Sequence, residues 1–177
     1  MLSTSIAAAV VLVNENDEPV GTMEKIEAHQ KGLLHRAFSV FITNAAGEML
    51  LQQRASGKYH CPGLWTNTCC SHPFPGERVE EAAHRRLKEE MGFDCELKEV
   101  FSFTYRVEFD NGLTEHEYDH VFIGRYDGEI VPESSEVSAY KYVALAKISE
   151  QLASEADTFT PWFRLAFSRV EQLLKTK

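Results

Sequence analysis

The sequence contains no long hydrophobic run. Its longest apolar stretch, from Ile6 to Val13, has eight residues, whereas a helix that crosses a membrane needs about 18 or more. No lysine or arginine precedes this stretch, as a secretory signal peptide would require. We therefore expect neither a membrane protein nor an exported one, and we predict a cytoplasmic location.

Cysteine is also scarce, with four residues in 177. A small secreted domain held together by disulfides would contain more cysteines, and sequence neighbours such as Cys69 and Cys70 rarely bridge each other. We expect reduced thiols, as in the cytosol, at Cys61, Cys69, Cys70 and Cys95.

Positive charge is in the minority, because 18 Lys and Arg stand against 27 Asp and Glu, for a net charge of -9. Such a chain lacks the basic stripe with which nucleic-acid-binding proteins neutralise phosphates, so any phosphate site must be local. What is present, 44% hydrophobic and 25% charged residues, is typical of a globular protein. We predict one domain over residues 1–177, large enough to form a core without disulfides.

Turn-forming residues separate short apolar runs along the chain. The run at 10–13 precedes N-E-N-D-E-P-V-G and predicts a hairpin, and residues 35–53 predict another with its turn at 44–47. The order is mixed α and β without repeats. Further strands are predicted at 100–109, 118–126 and 140–143, and helices at 77–91, ending at Gly92, and at 160–175, with Thr160 as N-cap and Pro161 first.

The segment from Arg54 to Pro75 has no periodicity and mixes Gly, Pro, Cys, His and Trp. Ordered loops of this length usually carry function. It contains N-T-C-C-S-H-P at 67–73, and a reduced Cys beside a His is compatible with a metal site, an acid or nucleophile, or a small buried apolar residue. The tandem cysteines and His72 on a loop favour the first two.

Two carboxylates in the E-H-E run at 115–117 face the same side if this segment is a strand, whereas His116, Tyr118 and His120 face the other. Two neighbouring carboxylates resist joint ionisation unless a cation lies between them. A metal site is expected if their face is buried, and a solvated edge strand if it is not.

Two further histidines, His29 and His35, would point about 240° apart on a helix. They could share a metal only if their segment is extended or looped. Together with His72, Glu115 and Glu117 they would offer three nitrogens and two carboxylates, a set that suits Mn²⁺ or Zn²⁺ better than Mg²⁺.

The carboxylates at the end of the predicted 77–91 helix have two interpretations. The simpler is a solvated helix with ion pairs such as Glu81 with Arg85 and Arg86 with Glu90, each worth about 0.3 kcal/mol. The spacing also resembles the Nudix box, whose helix presents carboxylates to a divalent cation on a diphosphate, although Ser71 and Arg86 replace its opening glycine and one glutamate. The matching residues are Glu77, Arg85, Glu89, Glu90 and Gly92.

This helix, N-T-C-C-S-H-P and E-H-E together resemble the type 1 isopentenyl-diphosphate isomerases, Nudix-fold enzymes that interconvert isopentenyl and dimethylallyl diphosphates. The resemblance covers most of the chain, from G-T-M-E-K at 21–25 through L-L-H-R-A-F at 33–38 and P-G-L-W-T-N at 62–67 to P-W at 161–162. It implies an α+β fold, in which a mixed sheet is flanked by helices in an α/β/α sandwich.

The resemblance also implies a role for each matching residue. Cys70 and Glu117 would carry protons, with Cys70 also touching the substrate, and Tyr105 would assist Glu117. Trp162 would face the hydrocarbon, and Glu90 would help to hold Mg²⁺ on the diphosphate. The Mn²⁺ or Zn²⁺ ligands would be His29, His35, His72, Glu115 and Glu117, and the phosphates would be bound by Lys25, Arg54, Lys58 and Arg86.

These roles suit the chemistry, because moving a double bond requires one proton to be added and another removed through a tertiary carbocation. An indole face stabilises such a cation by about 2 kcal/mol or more when desolvated. The alternative for Trp162 is a core residue that packs with Phe163 and Phe167.

We expect an isomerase whose partner is a small-molecule diphosphate and which exists as a monomer or weak homodimer. Two other functions are alternatives to it. One is a Nudix hydrolase of nucleoside diphosphate derivatives, against which Arg86 and the cysteine pair argue. The other is a non-enzymatic zinc-stabilised module, but C-x7-C-C-x-H matches known zinc spacings poorly. Its ligands would be Cys61, Cys69, Cys70 and His72.

Overall fold

The computed structural model describes residues 9–176. The first part of the apolar run that begins at Ile6 lies outside these residues. The strands are β1 (Ala9–Val13), β2 (Pro19–Glu24), β3 (His35–Thr43), β4 (Met49–Arg54), β5 (Trp65–Thr66), β6 (Cys69–Ser71), β7 (Leu97–Glu108), β8 (Thr114–Arg125) and β9 (Val137–Val143). The helices are α1 (Lys25–Lys31), α2 (Val79–Met91), α3 (Leu145–Ser154) and α4 (Pro161–Lys175), with a 3-10 turn at Ala156–Thr158.

Strand β3 lies inside a mixed sheet. It pairs antiparallel with β1 and β6 and parallel with β8, while β7 and β8 form an antiparallel hairpin. Strand β4 continues from β3 through the predicted turn and pairs with β9 and β5. The register places His35 opposite Glu117 and Ser39 opposite Cys70, so three candidate site residues meet on or beside one strand.

Helices cover both faces of this sheet, because apolar residues alternate along β3. Phe38, Val40 and Ile42 pack in a core with α2, whereas Phe41 packs on the opposite face with α3 and α4. The expected arrangement of a mixed sheet flanked by helices is confirmed.

The boundaries of α2 differ slightly from the predicted 77–91. The helix begins at Val79 and ends, as expected, at Gly92, whose left-handed backbone has φ of 76°. A Cβ on Gly92 would lie 2.3 Å from the carbonyl oxygen of Val131, so both the backbone and the close approach require glycine. Glu77 lies before the helix and pairs with Arg85, a pairing that replaces the suggested Glu81–Arg85 pair.

Two helices, α1 and α3, were not predicted from the sequence. Helix α1 has seven residues without an apolar stripe, and it begins where the Glu24 side chain accepts a hydrogen bond from the backbone N–H of Glu27. Helix α3 does carry Leu145, Ile148 and Leu152 at three- and four-residue spacing, a signal sufficient to predict it.

Within the described residues, no helix has both the length and the apolar character that crossing a membrane requires.

Candidate active site

A tight corner between α1 and β3 brings two histidines together. Helix α1 ends at Gly32, whose left-handed φ of 62° reverses the chain, and β3 starts three residues later. His29 in the last turn of α1 and His35 at the start of β3 are both buried, with ring centroids 4.7 Å apart. The segment between them is looped, as a shared metal would require.

Strand β8 supplies two carboxylates from one face. Glu115 and Glu117 are buried, and their side chains point to the two histidines. The intervening His116 points away and donates from Nδ1 to the carbonyl oxygen of Gly32, which fixes the corner to β8. The predicted alternation of this strand is confirmed, and its carboxylate face is the buried one.

His72 completes the cluster from the segment after β6. Its Nε2 lies 3.0 Å from a carboxylate oxygen of Glu117, and burial lowers its pKa to about 4, which keeps the ring neutral at pH 7. One ligating atom from each of five side chains lies within 4.8 Å of the others, namely His29, His35, His72, Glu115 and Glu117.

The hydrogen bonds of this cluster fit a divalent metal ion. Nδ1 of His29 lies 2.6 Å from the carbonyl oxygen of Lys25, and Nδ1 of His35 lies 2.8 Å from that of Leu33. Each Nδ1 therefore carries the proton and each Nε2 presents a lone pair. Both Nε2 atoms and Oε2 of Glu115 are buried without an aligned hydrogen-bond partner among the described residues, so each can donate to a metal.

Charge in the cluster also suits a cation. Burial opposes ionisation of Glu115, but the neighbouring imidazoles of His29 and His60 hold its pKa well below the usual range. Burial and the charge of Glu115 oppose ionisation of Glu117, yet the neighbouring imidazoles of His35 and His72 lower its pKa as well. Two carboxylates thus share one buried face, an arrangement that a divalent ion would neutralise.

Tyr105 on β7 forms a hydrogen bond with the carboxylate of Glu117. Its hydroxyl donates to Oε2 of Glu117 at 2.7 Å, and the cross-strand register of β7 and β8 places the two residues opposite each other. Burial raises the pKa of Tyr105 well above its usual value, so the phenol is a hydrogen-bond donor at neutral pH.

The two adjacent cysteines lie in different environments because successive residues of β6 point to opposite sides. Cys69 is fully buried in the core beneath α2. Cys70 lines a pocket together with Glu117, Tyr105 and Trp162. Burial raises the pKa of Cys70, so this group enters the site as a thiol.

Four cations line the pocket, and two of them pair with carboxylates there. Arg86 donates to Glu90 at 2.6 Å and lies 3.5 Å from Glu136; Lys58 also pairs with Glu136. Glu90 in turn accepts a hydrogen bond from the amide of Gln52. The predicted phosphate-binding residues all line this pocket, namely Lys25, Arg54, Lys58 and Arg86.

Trp162 also lines this pocket. Its indole N–H donates to Oγ1 of Thr66 at 3.0 Å, and the Arg54 guanidinium lies 5.3 Å from the ring centroid. Phe163 and Phe167 pack in the core beneath the sheet, whereas Trp162, which is also buried, lines the pocket. The ring faces the pocket with an orientation fixed by one hydrogen bond.

Comparisons with known proteins agree with this geometry. Residues 33–163 match the NUDIX domain family. An isopentenyl-diphosphate Delta-isomerase of Pectobacterium atrosepticum is 53% identical over 161 residues, which cover 91% of this chain and 90% of the relative. The chain belongs to the isopentenyl-diphosphate Delta-isomerase family. A second member, isopentenyl-diphosphate Delta-isomerase 2 of Photorhabdus laumondii, is 54% identical over 155 residues and covers 88% of each chain.

Solved structures at lower identity share the fold of this isomerase family. A protein of Deinococcus radiodurans superposes with a TM-score of 0.69 at 20% identity, covering 83% of this chain and 90% of the other. A MutT protein of Methanosarcina mazei gives 0.64 at 23% identity, covering 78% and 94%. The predicted Nudix-type α+β fold and the predicted membership in the isopentenyl-diphosphate isomerases are confirmed.

The hypothesis of a non-enzymatic, zinc-stabilised module, by contrast, is wrong. Among residues 9–176, the side chains that meet as a metal-ligating group include His72 and no cysteine. Cys61, Cys69 and Cys70 are free thiols, and the chain belongs to a family of enzymes.

Several residues of the site were missed by sequence reasoning. Asp119 follows Glu115 and Glu117 on the same face of β8 and accepts a hydrogen bond from Ser39 at 2.7 Å; the alternation of the strand was a sufficient signal. His60 and Glu136 gave no signal, because contacts with distant elements determine their positions.

Proposed function

We propose that this chain interconverts isopentenyl diphosphate and dimethylallyl diphosphate, with Cys70 and Glu117 as the two proton carriers. The observation that carries the proposal is that both residues line one pocket together with Trp162, four cations and Glu90. A short hydrocarbon attached to a diphosphate has an apolar group that suits Trp162 and an anionic group that suits the cations.

The reaction needs two proton transfers and no redox step. One group adds a proton to the terminal alkene carbon, which uses the π electrons for a new C–H bond and leaves a tertiary cation. The other removes a proton from the neighbouring methylene, whose C–H electrons form the new double bond. The two groups are the thiol of Cys70 and the carboxyl group of Glu117, which is hydrogen-bonded to Tyr105. The direction of reaction decides which of them donates the proton.

The metal set supports Glu117 in this role. His29, His35, His72, Glu115 and Glu117 would hold Mn²⁺ or Zn²⁺, and when bound the ion would polarise the carboxyl group of Glu117. Glu90 would help to hold Mg²⁺ on the diphosphate, beside Arg86. The cations then orient the substrate so that its alkene lies between the thiol and the carboxyl group.

Trp162 would stabilise the carbocation. Its indole face contributes about 2 kcal/mol or more to a desolvated cation, and the hydrogen bond to Thr66 holds the ring in place. Water must be excluded because it would trap the cation as an alcohol.

The four free thiols support the cytoplasm as the compartment in which this step of isoprenoid synthesis takes place.

Isotope incorporation tests the proposal. The purified chain with Mn²⁺ and Mg²⁺ is incubated with isopentenyl diphosphate in D₂O, and the products are analysed by mass spectrometry and for free phosphate. We expect deuterium in dimethylallyl diphosphate without phosphate release. Phosphate release, or hydrolysis of nucleoside diphosphate derivatives, would support the hydrolase alternative and contradict the proposal, as would inertness towards isopentenyl diphosphate.

A further inference from the structure

His60 lies in the irregular segment between β4 and β5 and contacts the metal-ligand cluster without belonging to it. Its ring is 8% exposed and packs against Tyr59, Phe109 and Trp162, with centroid distances of 4.5, 5.6 and 5.7 Å. Aromatic packing on several sides fixes the orientation of the imidazole.

The imidazole of His60 forms a short hydrogen bond with Glu115. Its Nε2 lies 2.5 Å from Oε1 of that carboxylate. Because an ionised carboxylate can only accept, Nε2 carries the proton. Nδ1 is buried with no hydrogen-bond partner among residues 9–176, which agrees with a neutral ring that donates once.

This bond divides the two oxygens of Glu115 between two tasks. Oε1 accepts from His60, while Oε2 faces the cluster at 3.3 Å from Nε2 of His29. Rotation of the carboxylate would break the His60 hydrogen bond, so the donor fixes which oxygen is presented to a metal.

Glu117 is held in the same way by a different residue. Its Oε1 faces His72 and His35, and its Oε2 accepts from the Tyr105 hydroxyl. Each of the two carboxylates therefore has one oxygen directed to the cluster and one held by a buried donor outside it. Such outer donors typically account for about 10- to 100-fold in metal affinity.

We propose that His60 is a positioning residue that holds the carboxylate of Glu115 for a divalent ion, as Tyr105 holds that of Glu117. The inference rests on the metal set of the proposed function. It concerns ion binding alone, so it can fail while the isomerase assignment stands.

Two substitutions separate the hydrogen bond from the packing. His60→Phe keeps an aromatic ring but removes the N–H donor, whereas His60→Gln keeps an N–H donor but removes the ring. His84→Phe serves as the control, because His84 lies on α2 and bonds Asp94 away from the cluster. Mn²⁺ affinity of the metal-stripped proteins is measured by calorimetry, without substrate.

We expect His60→Phe to weaken Mn²⁺ binding by about 10- to 100-fold, His60→Gln to remain within a few-fold of the unsubstituted protein, and His84→Phe to change nothing. In a Glu115→Gln background, His60→Phe should have little further effect, because the two residues act as a pair. Equal affinity in His60→Phe and the unsubstituted protein would overturn the proposal. So would a loss in His60→Gln that exceeds the loss in His60→Phe, because packing alone would then explain the role.

Discussion

Neighbouring residues in this site perform different tasks because each strand turns successive side chains to opposite sides. Cys70 lines the pocket, while Cys69 packs in the core with Leu87 and Met91. On β8, Glu115 and Glu117 face the cluster and His116 fixes the α1 corner. The chemistry of one residue is thereby separated from the packing of the next.

We predict that Cys70→Ala abolishes isomerisation with little effect on folding. The thiol lines a pocket, so its removal takes away a proton carrier and little core packing. Cys69→Ala should leave most turnover intact and lower the free energy of unfolding by about 1–2 kcal/mol through the cavity it creates. Turnover by product analysis and urea unfolding measure the two effects. Equal loss of turnover at both positions would contradict the assignment.

At the scale of elements, the turn before α2 is tied to the helix. Glu77 accepts from the Arg85 guanidinium at 2.7 and 2.9 Å and from the backbone N–H of Phe74 at 2.8 Å. Burial alone would raise the pKa of Glu77, but these donors lower it below the usual value. The pair connects the segment that follows His72 to the middle of the helix.

This pKa shift predicts a pH-dependent contribution to stability. Because the folded pKa of Glu77 is lower than the unfolded one, the contribution is complete above the unfolded value and is lost as pH falls through the folded value. Glu77→Gln should cost about 1–3 kcal/mol of unfolding free energy at pH 7, and the cost should shrink below about pH 4. Urea unfolding at pH 7 and pH 3.5 measures it; a cost independent of pH would show that another interaction is responsible.

Elements with strong local signals could be predicted from the sequence. The two hairpins, α2 with its terminal Gly92, and α4 after Thr160 follow from turn residues and apolar periodicity. Helix α1 could not be predicted, because it is short and its buried residues, Ala28 and His29, do not form an apolar stripe. Within the site, His60 and Glu136 were missed for the same reason, since folding alone brings them to Glu115 and Lys58.

For the molecule as a whole, a metal ion would connect separate parts of the fold. Its ligands come from α1, β3, β8 and the segment after β6, so an ion bound there stabilises the folded state. At a free concentration of about 100 times Kd, the gain is about 2.7 kcal/mol.

We therefore predict that removal of the metal with a chelator lowers the melting temperature and that Mn²⁺ or Zn²⁺ restores it. Glu115→Gln should abolish most of the restoration, whereas Glu108→Gln, on the exposed end of β7, should not. Calorimetric melting with and without the ion provides the measurement. A melting temperature that does not respond to either ion would show that the five side chains bind no metal.

The pocket has a different balance of charge from the chain as a whole. The chain carries a net charge of -9, whereas the pocket is lined by four cations and four carboxylates. Under the proposed function, these cations would bind the diphosphate and leave the hydrocarbon directed towards Cys70, Glu117 and Trp162.

The most direct test of the account is a crystal structure with Mn²⁺, Mg²⁺ and a non-reactive diphosphate analogue of the five-carbon substrate. We predict that Sγ of Cys70 and a carboxylate oxygen of Glu117 lie on opposite faces of the hydrocarbon, each about 3–3.5 Å from a carbon that gains or loses a proton. If both groups lie on the same face, or if either is beyond reach of the hydrocarbon, the two-carrier mechanism is contradicted.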